Sequence, residues 1–186
     1  MILVCMNEKH IMRNILYILL FFTLLFHLSS CEASEMESPS PSSDTSDSLS
    51  FLALGDSYTI GQGISESGRW PVQLVDSLNS RSIPTKQARI IAQTGWRTSD
   101  LIQALDQEQP ESADFVSLLI GVNDQYGSSE FENFQIGFDL LVERSIELAG
   151  DSSKVFVVSI PDYGVTPFGS SNSETIAEEI DMYNAH

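Results

Sequence analysis

The stretch FVSLLIGVND, Phe115 to Asp124, is an apolar run that stops at a glycine and gives way to an amide and an acid. Further on, KVFVVSI, Lys154 to Ile160, is nearly as continuous in Val, Ile and Phe. A strand with one face in water alternates apolar and polar residues, whereas a strand covered on both faces does not. The two runs therefore predict strands over Phe115–Val122 and Lys154–Ile160 in a parallel sheet with both faces covered. Working outward, FLAL (Phe51–Leu54) and RIIAQ (Arg89–Gln93) supply two more strands.

Helical patterns lie between and after these runs. Trp70 to Ser80 carries Val72, Leu74, Val75 and Leu78. Thr98 to Gln107 carries Leu101, Ile102 and Leu105, with Thr98 or Ser99 as its cap. Phe131 to Ala149 carries Phe134, Phe138, Leu141, Val142 and Leu148, and Gly150 stops it. Ser173 to Tyr183 carries Ile176, Ala177, Ile180 and Tyr183. The order β-α-β-α-β-α-β-α predicts a doubly wound α/β layer.

In a parallel sheet the turns that follow the strands share one edge, where reactive groups are commonly held. The first turn is Gly55-Asp56-Ser57, the second Thr94-Gly95-Trp96, the third Gly121-Val122-Asn123-Asp124. A serine hydroxyl, a glycine N–H and an asparagine amide thus converge, which is the set acyl transfer needs: an oxygen to attack, and donors aimed at the oxyanion. Taken singly, each has a plainer reading. Ser57 serves as a helix cap, Gly95 as a turn residue, Asn123 as an Asx-turn residue. Asp56 and Asp124 read as structural. Trp96, Gln125, Tyr126 and the loop PDYGVTPFG (Pro161–Gly169, with Tyr163) read either as the lining of an acyl pocket or as surface loop packing.

GDSYTIG, the glycine of TGW and GVND, in this order on these strand ends, resemble blocks I, II and III of the SGNH/GDSL hydrolases. The resemblance covers about Ser50 to Tyr183. It implies a flavodoxin-like three-layer α/β fold with strand order 2-1-3-4-5. It also implies Ser57 as nucleophile and first oxyanion donor, with Gly95 and Asn123 as the second and third. The substrate implied is a small-molecule ester, and no metal or organic cofactor is implied.

One departure is plain. The family's fourth block is a D-x-x-H that supplies the general base and its orienting acid. The chain has 3 histidines, His10, His27 and His186, and Asp181 stands five places before His186 rather than three. The last helical pattern runs to the chain end, where a crossover helix would lead to another strand. The expectation is a domain whose fifth strand and D-x-x-H block lie beyond this chain, with an exposed KVFVVSI edge and only background turnover. A rival of another class is a non-catalytic envelope module that binds carbohydrate or lipid in the same cleft. A flavodoxin-like cofactor binder is the weakest reading, because GDSYTIGQG lacks the phosphate-loop pattern G-x-G-x-x-G.

The N-terminal quarter reads differently. Lys9, His10 and Arg13 precede an apolar run from Ile15 to Leu28, short for a membrane span and suited to a secretion signal. It ends in Leu28-Ser29-Ser30-Cys31, which resembles the lipobox of bacterial lipoproteins. That likeness implies a signal over residues 1–31, lipidation at Cys31, and an exported protein held at a bacterial membrane through its lipid. Glu32 to Leu49 is serine, proline and acid without Lys or Arg, and reads as a disordered tether before a domain over residues 50–186. Beyond Cys31 the chain carries 7 Lys and Arg against 25 Asp and Glu, a balance of −18. That balance argues against nucleic acid and against an anionic membrane surface as partners.

Overall fold

The computed structural model describes residues 48–186. The expected signal, the Cys31 lipidation site and the tether up to residue 47 lie outside the described residues. Among those described, four strands form one parallel sheet: β1 (Phe51–Gly55), β2 (Arg89–Ala92), β3 (Phe115–Leu119) and β4 (Val155–Val157), in the order β2-β1-β3-β4. Six helices accompany them: α1 (Ser57–Ile60), α2 (Trp70–Ser80), α3 (Thr98–Glu108), α4 (Val122–Tyr126), α5 (Phe131–Ala149) and α6 (Ser173–Asn184).

Alternation along β1 sends its side chains to the two faces of the sheet. Leu52 and Leu54 join Ile91, Val116 and Leu118 under Leu101 and Leu105 of α3 and Leu141 of α5. Phe51 and Ala53 turn to the other face, with Val75 and Trp70 of α2 and a ring stack between Phe51 and Phe115 at 4.5 Å. A third cluster joins Leu119, Phe134 of α5, Ile160 and Ile176, Ile180 and Tyr183 of α6. Each fully buried Leu, Ile or Phe contributes about 1.5–3 kcal/mol relative to exposure. The result is a three-layer α/β fold, as the runs of Val, Ile and Leu predicted.

Two strands are three or more residues shorter than the sequence reading, the other two differing by one residue, and one glycine explains much of it. The expected strand Phe115–Val122 ends at Leu119, because Gly121 turns the chain with φ at +123° into α4. A side chain there would meet Phe134 Cε2 at 2.5 Å and Ile160 Cδ1 at 3.0 Å, so only glycine lets α5 approach. The expected strand Lys154–Ile160 shortens to Val155–Val157, with one further ladder bond from Val158 N–H to the Leu118 carbonyl at 2.9 Å. Beyond it β3 has already turned away. Ile160 pairs instead with the Asn184 side chain of α6, its N–H donating at 2.8 Å and its carbonyl accepting at 3.0 Å. Phe156 and Val157 are 36% and 51% exposed, so β4, the outer strand of the described sheet, is not covered on both faces.

Candidate active site

The turn after β1 is held by Asp56. Its Oδ1 accepts the Tyr58 N–H at 2.9 Å and caps α1, so that Ser57 becomes the first residue of that helix at the carboxyl edge of the sheet. Asp56 is 0% exposed, and its Oδ2 has no hydrogen-bond partner. Burial pushes its pKa up to about 6; the Tyr58 N–H opposes the rise, and the charge of Asp124 adds to it.

The second and third turns are stitched together. Asn123, in α4, donates from Nδ2 to the Trp96 carbonyl at 2.8 Å. Asp124 takes both the N–H of Thr98 at 3.0 Å and its hydroxyl at 2.9 Å, one on each carboxylate oxygen. Burial raises the Asp124 pKa, and the two Thr98 bonds oppose the rise. The capping expectation for α3 is thereby corrected. Thr98 is committed to Asp124, and the cap position falls to Arg97, whose N–H is received by Asp100 Oδ2 at 2.9 Å. Gly95, one residue before the Trp96 carbonyl, has φ at +85° and open space where a side chain would stand.

Ser57 and Asn123 open onto one cleft of about 260 Å³, lined also by Tyr58, Val122, Tyr126, Tyr163 and Phe168. Of the residues read as pocket lining, Tyr126 and Tyr163 are there. Trp96 and Gln125 are not. Trp96 packs half-buried against the core under α3, offering its carbonyl to Asn123. Gln125 is buried behind the cleft, accepting the Tyr163 hydroxyl at 2.9 Å on Oε1 and donating from Nε2 to Glu179. Gly95 is exposed and stands outside the lining of this cleft, beside Asn123 through the Trp96 link. Tyr58 and Val122 belong to the lining without having been singled out, and Phe168 stands there as part of the loop Pro161–Gly169 that was.

His186 lies elsewhere in its bonding. Its Nε2 pairs with Asp139 Oδ1 at 2.9 Å, its Nδ1 is 3.3 Å from Gln135 Nε2, and its ring meets Phe131, Phe134 and Phe138 edge-on. All of these partners sit on α5. Among the described residues no three His, Cys, Asp or Glu side chains gather closely enough to hold a metal ion.

Comparison with known proteins bears on the whole unit. A family model described as the GDSL-like Lipase/Acylhydrolase family matches residues 53–186. The fold is similar to that of AlinE4, an SGNH-hydrolase family esterase, with a TM-score of 0.53 and 20% identity over 72% of this chain and 73% of that one. It is similar to the lipase Lip_vut3 from a goat rumen metagenome, with a TM-score of 0.54 and 18% identity over 73% and 74% of the two chains. It also resembles a putative lipolytic protein of the G-D-S-L family from Desulfitobacterium hafniense DCB-2, with a TM-score of 0.50 and 20% identity over 73% and 71%. At these identities the likeness shows the fold. No curated protein sequence matches the chain.

Proposed function

The chain belongs to the GDSL-like lipase/acylhydrolase family, and from that premise we propose that it carries the nucleophile and oxyanion donors of a serine ester hydrolase. Ser57 Oγ attacks the carbonyl carbon of a small-molecule ester. The oxyanion rests on the N–H groups of Ser57 and Gly95 and on the Asn123 amide. A base takes the Ser57 proton and gives it to the departing alcohol, and water, losing a proton to the same base, releases the acyl group from Ser57.

The observation that supports this most is the opening of Ser57 and Asn123 onto one aromatic cleft at the carboxyl edge of the sheet. Asn123 Nδ2 carries two hydrogens. One is spent on the Trp96 carbonyl, which fixes the amide, and the other remains for the oxyanion. A donor held before the reaction costs no reorganisation during it, and one such donor is worth about a hundredfold or more in rate. Among the described residues the same reading assigns no base. His186 is engaged by Asp139 and Gln135, and a serine hydroxyl without a base is a poor nucleophile. On the sequence between Leu28 and Cys31 we further place the protein at a bacterial envelope, anchored by a lipid at Cys31.

The test supplies the base from solution. With p-nitrophenyl acetate alone, turnover is expected at background. With added imidazole, mass spectrometry is expected to find an acetyl group on the Ser57 peptide, and none there in Ser57→Ala. Acetylation spread over other residues, or unchanged by the substitution, would remove Ser57 as nucleophile.

A further inference from the structure

A second cavity of about 310 Å³ shares Tyr126, Tyr163 and Phe168 with the Ser57 cleft. The two differ in chemistry. On the Ser57 side the remaining lining includes Tyr58 and Val122. On the other side stand Gln125, Ser128, Ser171, Asn172, Thr175 and Glu179, with Ile176 as the apolar exception. Thr175 and Glu179 are four apart on α6 and therefore share a face of that helix.

Glu179 is not a loose surface acid. The buried Gln125 amide donates to its Oε2, and the other end of that amide receives the Tyr163 hydroxyl. Burial raises the pKa of Tyr163, the Gln125 bond opposes the rise, and the charge of Glu179 adds to it, so the phenol stays a donor. A donor on one side of the amide fixes its oxygen there and turns its NH₂ to Glu179. A buried side chain is thus spent on holding a carboxylate at the wall of the cavity. The second carboxylate oxygen is left as an acceptor.

The charge decides among ligands. No Lys, Arg or His lines this cavity, so a phosphate-bearing or carboxylate-bearing group has no partner and meets Glu179. The aromatic trio does not form a cage for a cation either. Its centroids are 5.8, 6.1 and 6.3 Å apart in tilted and edge-on pairs, the spacing of rings packed on one another. They make a wall, with Tyr126 and Phe168 61% and 71% exposed. What suits an aromatic wall facing hydroxyls, an amide and a fixed acceptor is a neutral group with an apolar face and several hydroxyl donors. The volume is at the small end of ligand sites, which run from about 300 to 1,000 Å³, and so fits one ring and not a chain of rings.

We propose that this cavity is the subsite for the alcohol part of the ester, and that the alcohol is a neutral polyhydroxylated ring of monosaccharide size. The proposal rests on the reading of Ser57 as nucleophile, with the apolar cleft taking the acyl part.

Binding and acylation separate the two readings. The protein is titrated with methyl glycosides of glucose, xylose and N-acetylglucosamine, and with choline and phosphocholine as charged controls, followed by amide chemical shifts. At least one glycoside is expected to bind saturably, with shifts at Thr175 and Glu179. Glu179→Gln is expected to weaken it about tenfold, the scale for losing a hydrogen bond to a charged group. Phe168→Ala, which leaves Glu179 in place, is expected to weaken it as well. Imidazole-assisted acetylation of Ser57 by p-nitrophenyl acetate, an ester without a sugar, is followed in the parent protein as the separate test of the nucleophile. If none of the three glycosides binds, if binding survives both substitutions, or if choline or phosphocholine binds more tightly, the subsite is wrong even where Ser57 acetylates. If a glycoside binds through Glu179 and Ser57 does not acetylate, the polyol site stands and the hydrolase reading falls.

Discussion

Asp56→Asn is expected to flatten the dependence of stability on pH. Asp56 is wholly buried, its Oδ2 is unpaired, and its pKa is raised from 3.8 to about 6, first by burial. A raised acid binds its proton more tightly in the folded chain than in the unfolded one, so stability falls as pH rises between the two values. A difference of about two units at 1.36 kcal/mol each makes the full cost about 3 kcal/mol above pH 7. About 0.5 kcal/mol of it is already present at pH 4, which leaves roughly 2.5 kcal/mol of decline between pH 4 and pH 8. Asparagine keeps an oxygen for the Tyr58 N–H and so keeps the cap. It also buries an NH₂, a cost of about 1–3 kcal/mol where no partner is found, but that cost does not change with pH. Asp124, raised in the same direction, is present in both proteins, so its own burial cancels in the difference and only its repulsion of Asp56 does not. Urea unfolding followed by the fluorescence of Trp70 and Trp96, at intervals from pH 4 to pH 8, reads the slope directly. The two stability curves are expected to close by about 2.5 kcal/mol as pH rises, in favour of the variant. Curves that stay parallel would mean that Asp56 is charged at pH 4 in the folded protein, and the argument from burial would fail.

Two other outcomes follow from the same geometry and sequence. Asn123→Ala is expected to slow imidazole-assisted acetylation of Ser57 by about a hundredfold or more, measured as the initial rate of adduct formation; a rate within a factor of three of the parent would remove Asn123 from the oxyanion site. Cys31→Ser is expected to move the protein from the membrane fraction to the soluble fraction in a bacterium with the lipoprotein pathway; an unchanged distribution on immunoblots would refute the lipid anchor.

The apolar runs placed all four strands because a residue such as Leu54 or Leu118 has no stable place other than between two layers. Gly121 and Gly150 marked their turns because their backbone angles, at φ of +123° and +70°, are ones that few other residues adopt. Those signals are local, so the sequence carries them openly. The ends of β3 and β4 were read too long for a different reason. Whether Ile160 continues a ladder depends on whether β3 is still beside it, and on Asn184, twenty-four positions away, being there to take its N–H and carbonyl instead.

The site divides along the same line. Ser57, Gly95 and Asn123, the proposed nucleophile and donors, could be singled out because each closes a strand with a glycine near it, a pattern contained in a few residues. Gln125 lies outside the Ser57 cleft and lines the neighbouring cavity, a division that nothing around it in the chain announces. Its role is set by Tyr163 and Glu179, 38 and 54 positions away. Thr98 is the same case. As a cap it needs only its own helix, but Asp124, 26 positions on, offers two acceptors in a buried place. A charge-assisted pair of bonds to a buried carboxylate is worth more than one exposed cap, and the carboxylate could not stay there without them. That preference joins the loop of Gly95 to the helix of Asn123. The relative position of the two proposed oxyanion donors is therefore fixed by residues that donate nothing to the substrate themselves.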